Sequence, residues 1–177
     1  MDYTTHMALA VDILNSTGYL WTQISAQNSA PLINEGDMVC VKKRDDSLKK
    51  GDLIAIDFRK MFIIQRIVDI GEDEAWTKGD HSEKGPFCCR LKDVAGKVIL
   101  VKKKEEILQI DNPLCERLHI LITRLSLGRR EKVINTGFFY RKFFHKLRRS
   151  MIKRLLRLEI ILGKRYAKNL DPRLPIP

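Results

Sequence analysis

Hydrophobic residues fall into two patterns along this chain, and the change between them lies near Glu105. Before it, short apolar runs alternate with Gly-Asp pairs. Tyr19 to Ser25 is β-prone and places Tyr19, Trp21 and Gln23 on one face. Met38-Val39-Cys40-Val41 is a short apolar strand bounded by Lys42-Lys43-Arg44-Asp45-Asp46. Leu53 to Phe58 and Phe62 to Ile70 predict a hairpin around Arg59-Lys60, and Trp76 and Val98 to Val101 add further strand residues. Short strands punctuated in this way predict a mainly β fold, a coiled and partly closed sheet. Glycine permits each turn and aspartate ties it by accepting backbone hydrogen bonds, so these aspartates are read as structural.

The two ends read as helical. Residues 4–15 carry Met7, Val11 and Leu14 at helical spacing, and Gly18 is placed to cap them. Asn112-Pro113 opens a second helical pattern, with Leu114, Leu118, Leu121 and Ile122 repeating to about Leu127, where Gly128 stops it. A long third helix is predicted from Phe138 to about Ala167, with an apolar stripe of Phe139, Phe143, Leu147, Met151, Leu155, Leu158 and Leu162. The Pro-rich end, Asp171 to Pro177, reads as extended. The predicted units are an N-terminal helix at 1–17, a β domain at 18–104 and a helical C-terminal region at 105–177.

Charge sharpens that division. From residue 119 onward there are 16 Lys or Arg against 3 Asp or Glu, while the whole chain of 177 residues carries a net +11. The first two thirds are therefore slightly acidic, and the basicity belongs to the last third. Such asymmetry points to an anionic partner. For the third helix three uses are open. It packs on the second helix with a solvated basic face; it lies on an anionic membrane surface; or it contacts nucleic-acid phosphates without base recognition. Lys142, Lys146, Arg149 and Lys153 are the candidate contacts to an anionic partner.

Cys40, Cys88, Cys89 and Cys115 lack metal-ligand spacing and read as free thiols, and no cofactor or metal is expected. The N-terminal apolar run Met7 to Val11 is broken by Asp12, without a basic leader, and no stretch approaches the roughly 20 apolar residues of a membrane span. The expectation is a cytoplasmic protein, with peripheral attachment at the inner membrane surface as an option.

Five motifs then occur in order between residues 18 and 104. They are Ile24-Ser25-Ala26-Gln27-Asn28-Ser29-Ala30-Pro31-Leu32-Ile33-Asn34-Glu35-Gly36-Asp37, Gly51-Asp52, Gln65-Arg66, Thr77-Lys78-Gly79-Asp80 and Val94-Ala95-Gly96-Lys97-Val98. The series resembles the signal peptidase I and LexA-like serine peptidases. The resemblance implies a nucleophile at position 28 and a general base at position 65. Asn28 and Gln65 stand there instead. A serine nucleophile needs a neighbour that takes its proton, and a carboxamide does not do so at neutral pH. Acidic residues that often follow the Lys-Gly-Asp motif are absent, and His81-Ser82-Glu83-Lys84 occupies their place.

The resemblance therefore implies a degenerate member, a pseudopeptidase acting as a peptide-binding or adaptor module. Ser25, Ala26, Gln27 and Ile64 are groove candidates by position, because such enzymes hold substrate as an added strand. The enzyme alternative is a serine-type processing peptidase using Ser29. Successive side chains of extended backbone face opposite ways, which would turn Ser29 from Gln65. Lys60 and Lys78 read as exposed turn lysines, and His81 as a loop histidine. The third alternative is a membrane-surface or nucleic-acid-associated protein acting through the basic helix.

Overall fold

A computed structural model of the protein describes residues 3–25, 30–58, 61–80, 82, 84–127, 138–168, 170 and 174, with side chains only from residue 8 in the first helix and from residue 146 in the last. The fold is mainly β. Among the described residues, eight antiparallel strands form one curled half-barrel sheet, preceded by one helix and followed by two. The strands are β1 (Tyr19–Gln23), β2 (Met38–Lys43), β3 (Leu53–Phe58), β4 (Met61–Ile70), β5 (Glu74–Lys78), β6 (Phe87–Arg90), β7 (Val94–Lys103) and β8 (Glu106–Gln109). The helices are α1 (Tyr3–Thr17), α2 (Pro113–Leu127) and α3 (Phe138–Ala167). None of the described helices is long and apolar enough to cross a membrane.

The strand order is β1-β2-β7-β3-β4-β5-β6. The long strand β7 organises the curl. Its first half pairs with β3, and its second half, from Leu100, pairs with β8 on the same side. Gly96 sits where β7 crosses β2. A Cβ there would stand 2.0 Å from the Lys42 carbonyl oxygen, so no side chain fits.

Expectation and structure agree on β1 to β5, β7 and all three helices. The predicted hairpin is the β3–β4 pair, in which Phe58 faces Met61 across residues 59–60, which lie outside the described residues. The short strands β6 and β8 were not expected, since four residues show too little periodicity to read.

The helices depart from expectation in the faces they bury. In α2 the buried residues are Cys115, His119, Ile122, Thr123 and Ser126, while Leu114 and Leu121 are exposed. In α3 the buried positions are Ile152, Leu156, Glu159 and Gly163. The predicted stripe is corrected in part: Leu147, Met151 and Leu158 are exposed, Leu155 packs against the core, and the side chains of Phe139 and Phe143 lie outside the described set. The physical reason is a polar interface. Both helices set apolar residues in the core, Ile122 from α2 and Ile152 and Leu156 from α3, and turn His119 and Glu159 toward a charged group buried in the sheet.

Ile152 and Leu156 join Leu14, Val39, Val41, Leu53, Ala55, Ile64, Val98 and Ile122 in one core. Full burial of each Val, Leu or Ile side chain among them contributes about 1.5–3 kcal/mol. So α3 is fastened to the β domain as well as to α2, whereas the packed-helix alternative placed it on α2 alone.

Candidate functional site

The loop resembling a nucleophile loop is closed at its base by its own backbone. The Ile24 amide donates to the Asp37 carbonyl (2.9 Å), and the Gly36 amide donates to the Ile24 carbonyl (2.8 Å). Leu32 and Ile33 are buried, and the Ala30–Pro31 bond is cis. The Asp37 carboxylate accepts the Asn34 amide at 2.8 Å, as the turn reading expects. Ser25 is exposed just after β1. Ala26, Gln27, Asn28 and Ser29 lie outside the described residues, as do Lys60 and His81. Ile64, the other groove candidate, is placed in the core at 2% exposure.

Gln65 is on β4, paired with Ile54 on β3. Its side-chain oxygen lies 2.6 Å from the Thr77 hydroxyl on β5, which is 3.2 Å from the Phe87 carbonyl. A hydroxyl has one proton to give, and the nearer acceptor is Gln65. The position where the resemblance expects a base therefore holds a neutral amide bound to a neutral hydroxyl.

The next residue on β4 has the opposite character. Arg66 points to the other face, as strand alternation requires, and is 1% exposed. Its Nε and Nη2 donate to the two Asp80 carboxylate oxygens at 2.8 and 2.7 Å, and its Nη1 donates to the Gly51 carbonyl at 3.0 Å. This two-pronged geometry is the strong form of an ion pair. Nη2 also lies 3.5 Å from a Glu159 carboxylate oxygen on α3. The other Glu159 oxygen is 2.6 Å from His119 Nε2 on α2. Burial pushes the Glu159 carboxyl up, but His119 and Arg66 more than offset it and leave it below the ordinary glutamate value.

Gly51 allows this assembly. Its φ of +100° is left-handed, and a Cβ there would stand 3.0 Å from His119 Cβ. Nearby, Asp52 accepts the Lys49 amide and pairs with Lys97 at 3.1 Å; Lys97 also meets Asp111 at 2.6 Å. Four motifs that are far apart in sequence, at 51–52, 65–66, 77–80 and 96–97, thus meet in one cluster. Nothing in the sequence reading foresaw that Asp80 serves Arg66 or that Glu159 and His119 complete the group. The one signal was a lone glutamate inside an otherwise basic helix.

Lys78 needs a correction. It is the last residue of β5 and is half-buried, not an exposed turn lysine, because α2 and α3 cover that end of the sheet. Its ammonium donates to the Ser126 carbonyl on α2 at 3.1 Å. Burial, with Arg148 and Arg149 nearby, lowers its pKa from the ordinary lysine value. Lys78 lines a cavity together with Ala30, Asp80, Ser82, Arg148 and Lys153. Of the four basic candidates, Arg149 and Lys153 also border this cavity. Lys146 is exposed elsewhere on α3, and the Lys142 side chain is outside the described set. Among the described residues, no cluster of three or more His, Cys, Asp or Glu could hold a metal ion. No protein-family model and no curated protein matches the chain.

Proposed function

We propose that this chain is a non-catalytic module on a scaffold of the signal peptidase and LexA kind, and that it holds a peptide or protein partner without cutting it. The observation that carries the reading is the Gln65–Thr77 pair, which leaves no group able to exchange a proton at the expected base position. The meeting of the four spaced motifs around Arg66 supports the scaffold assignment. The exposed Ser25, following an end strand of the sheet, supports binding by strand addition. The proposal places the protein in the cytoplasm. Titrating the isotope-labelled full chain with extended peptides tests it by NMR. Saturable amide shifts at Ser25 and along β4 are expected; shifts scattered evenly over the surface, or none, would sink the peptide reading.

A second reading is favoured by one observation, the half-buried Lys78 with a lowered pKa in a cavity bordered by Ala30. In that reading the chain is a serine-type processing peptidase, with Ser29 as nucleophile and Lys78 as its base. A lysine held below its ordinary pKa is nearer to that role than a solvated one. Cleavage that rises with pH through the Lys78 titration and disappears in Lys78→Met would favour it.

A further inference from the structure

Helix α3 has a second apolar face that the core does not use. Ile152, Leu156, Glu159 and Gly163 lie on the side toward the sheet. Leu147, Met151, Leu158 and Ile161 are 44–50% exposed. Together with the exposed Arg154 and Arg165 they recur at alternating steps of four and three residues, which sets them in one line along the helix. From Leu147 to Ile161 that line runs about 21 Å. A contiguous exposed apolar patch of this kind marks a contact surface, unlike apolar residues scattered singly. Exposed Lys153 and Arg157 run along one side of it, and Lys164, on the same side, pairs with Glu106. Helix α2, packed against α3, repeats the mixture with exposed Leu114, Arg117, Ile120, Leu121, Arg124 and Leu127. Neither helix sets a free carboxylate of its own beside these residues. Glu159 is the only acid in α3 and is buried, and Glu116, the only acid in α2, pairs with Lys49 at 2.8 Å.

We propose that this outer face of α3 docks on an anionic lipid bilayer, with the helix lying along the surface. Leu147, Met151, Leu158 and Ile161 enter the boundary between headgroups and acyl chains, and Lys153, Arg154 and Arg157 reach lipid phosphates. Arginine suits a place within the line, because its stem buries against apolar surface while its head stays among the headgroups. Nucleic acid would use the cations and leave the four apolar side chains in water. A second copy of the chain fits the spacing, but it would enclose Arg154 and Arg165 in a seam where α3 has no exposed carboxylate to meet them. No described helix is long and apolar enough to cross a membrane, and cations within the line hold α3 at the surface. The opposite face keeps its contacts with the core and with Arg66, so docking needs no unfolding. Peptide binding at the sheet does not use this face.

The test sediments the full chain with vesicles of phosphatidylcholine, alone or mixed with phosphatidylglycerol. The apolar variant is Leu158→Ser/Ile161→Ser, with Leu147→Ser/Met151→Ser as a second, and the cation variant is Arg154→Gln/Arg157→Gln. Leu9→Ser/Ile13→Ser on α1 and Arg90→Gln/Lys92→Gln remove similar exposed groups elsewhere and serve as controls. Far-UV circular dichroism checks that each variant folds. Saturable binding to the mixed vesicles, weaker on phosphatidylcholine alone, is expected; each α3 variant should lower it about tenfold or more and the controls should not. No binding to the mixed vesicles, binding that the apolar variants retain, or equal loss in the controls would overturn the proposal. Without vesicle binding, duplex DNA captured by the wild type and lost in the cation variant would assign the face to nucleic acid instead. A dimer in light scattering that Leu158→Ser/Ile161→Ser splits, again without vesicle binding, would assign it to a second copy.

Discussion

Adjacent positions on β4 divide the molecule's chemistry. On one face Gln65 and Thr77 form a neutral pair, at the place where the resemblance expects acid–base machinery. On the other, Arg66, Asp80, Glu159 and His119 form a buried charged cluster that joins the sheet to both C-terminal helices. The contrast shows where the buried ionisable groups lie. They hold the helices on the sheet, and the position that would need one for hydrolysis has none.

The largest effect is expected on the charged face. Arg66→Met leaves Asp80 an unpaired buried carboxylate and Glu159 with His119 alone, and should destabilise the fold by about 3–5 kcal/mol, read from urea unfolding. A loss below 1 kcal/mol would mean that water reaches the cluster and that the ionic fastening is weak.

Acid should act on the same face. Because the folded-state pKa of Glu159 lies below the ordinary value, its contribution is complete above the unfolded-state value of about 4.3. It is lost as pH falls below that value toward the folded-state pKa. Chemical unfolding at a series of pH values should show this loss in the wild type. Glu159→Gln should flatten that part of the curve, and an unchanged slope would assign the acid sensitivity elsewhere.

The smallest effect is expected on the neutral face. Thr77→Val removes one hydrogen bond to a half-exposed amide that water can replace, so a cost of about 1 kcal/mol is expected in the same unfolding measurement. A cost equal to that of Arg66→Met would erase the distinction between the two faces.

Much of the architecture was legible because its causes are local. Gly18, Gly51 and Asn112 end or begin elements through backbone geometry and capping, and the bounds of α3 followed from its composition. Asn112 illustrates the case: its side-chain oxygen accepts the Leu114 and Cys115 amides at 3.2 and 2.9 Å, as the predicted helix start requires. The buried faces of α2 and α3 were not legible. Periodicity assumes that a helix buries its most apolar side, whereas α3 buries Glu159 and leaves Leu158 exposed because Arg66 lies beneath it. Lys78 was misread for a related reason. Its burial is created by helices distant in sequence, and a local turn pattern says nothing of them. At the candidate centre, Gln65 could be singled out from its motif, but its Thr77 partner depends on strand register.

The reading stands on one point, that the chain does not cut the peptides it holds. It is tested most directly by a mass-spectrometric time course of the purified full chain with extended peptides, alongside a Ser29→Ala variant. Intact peptides throughout, with both proteins, is the predicted result; fragments that form with the wild type and vanish with Ser29→Ala would contradict it.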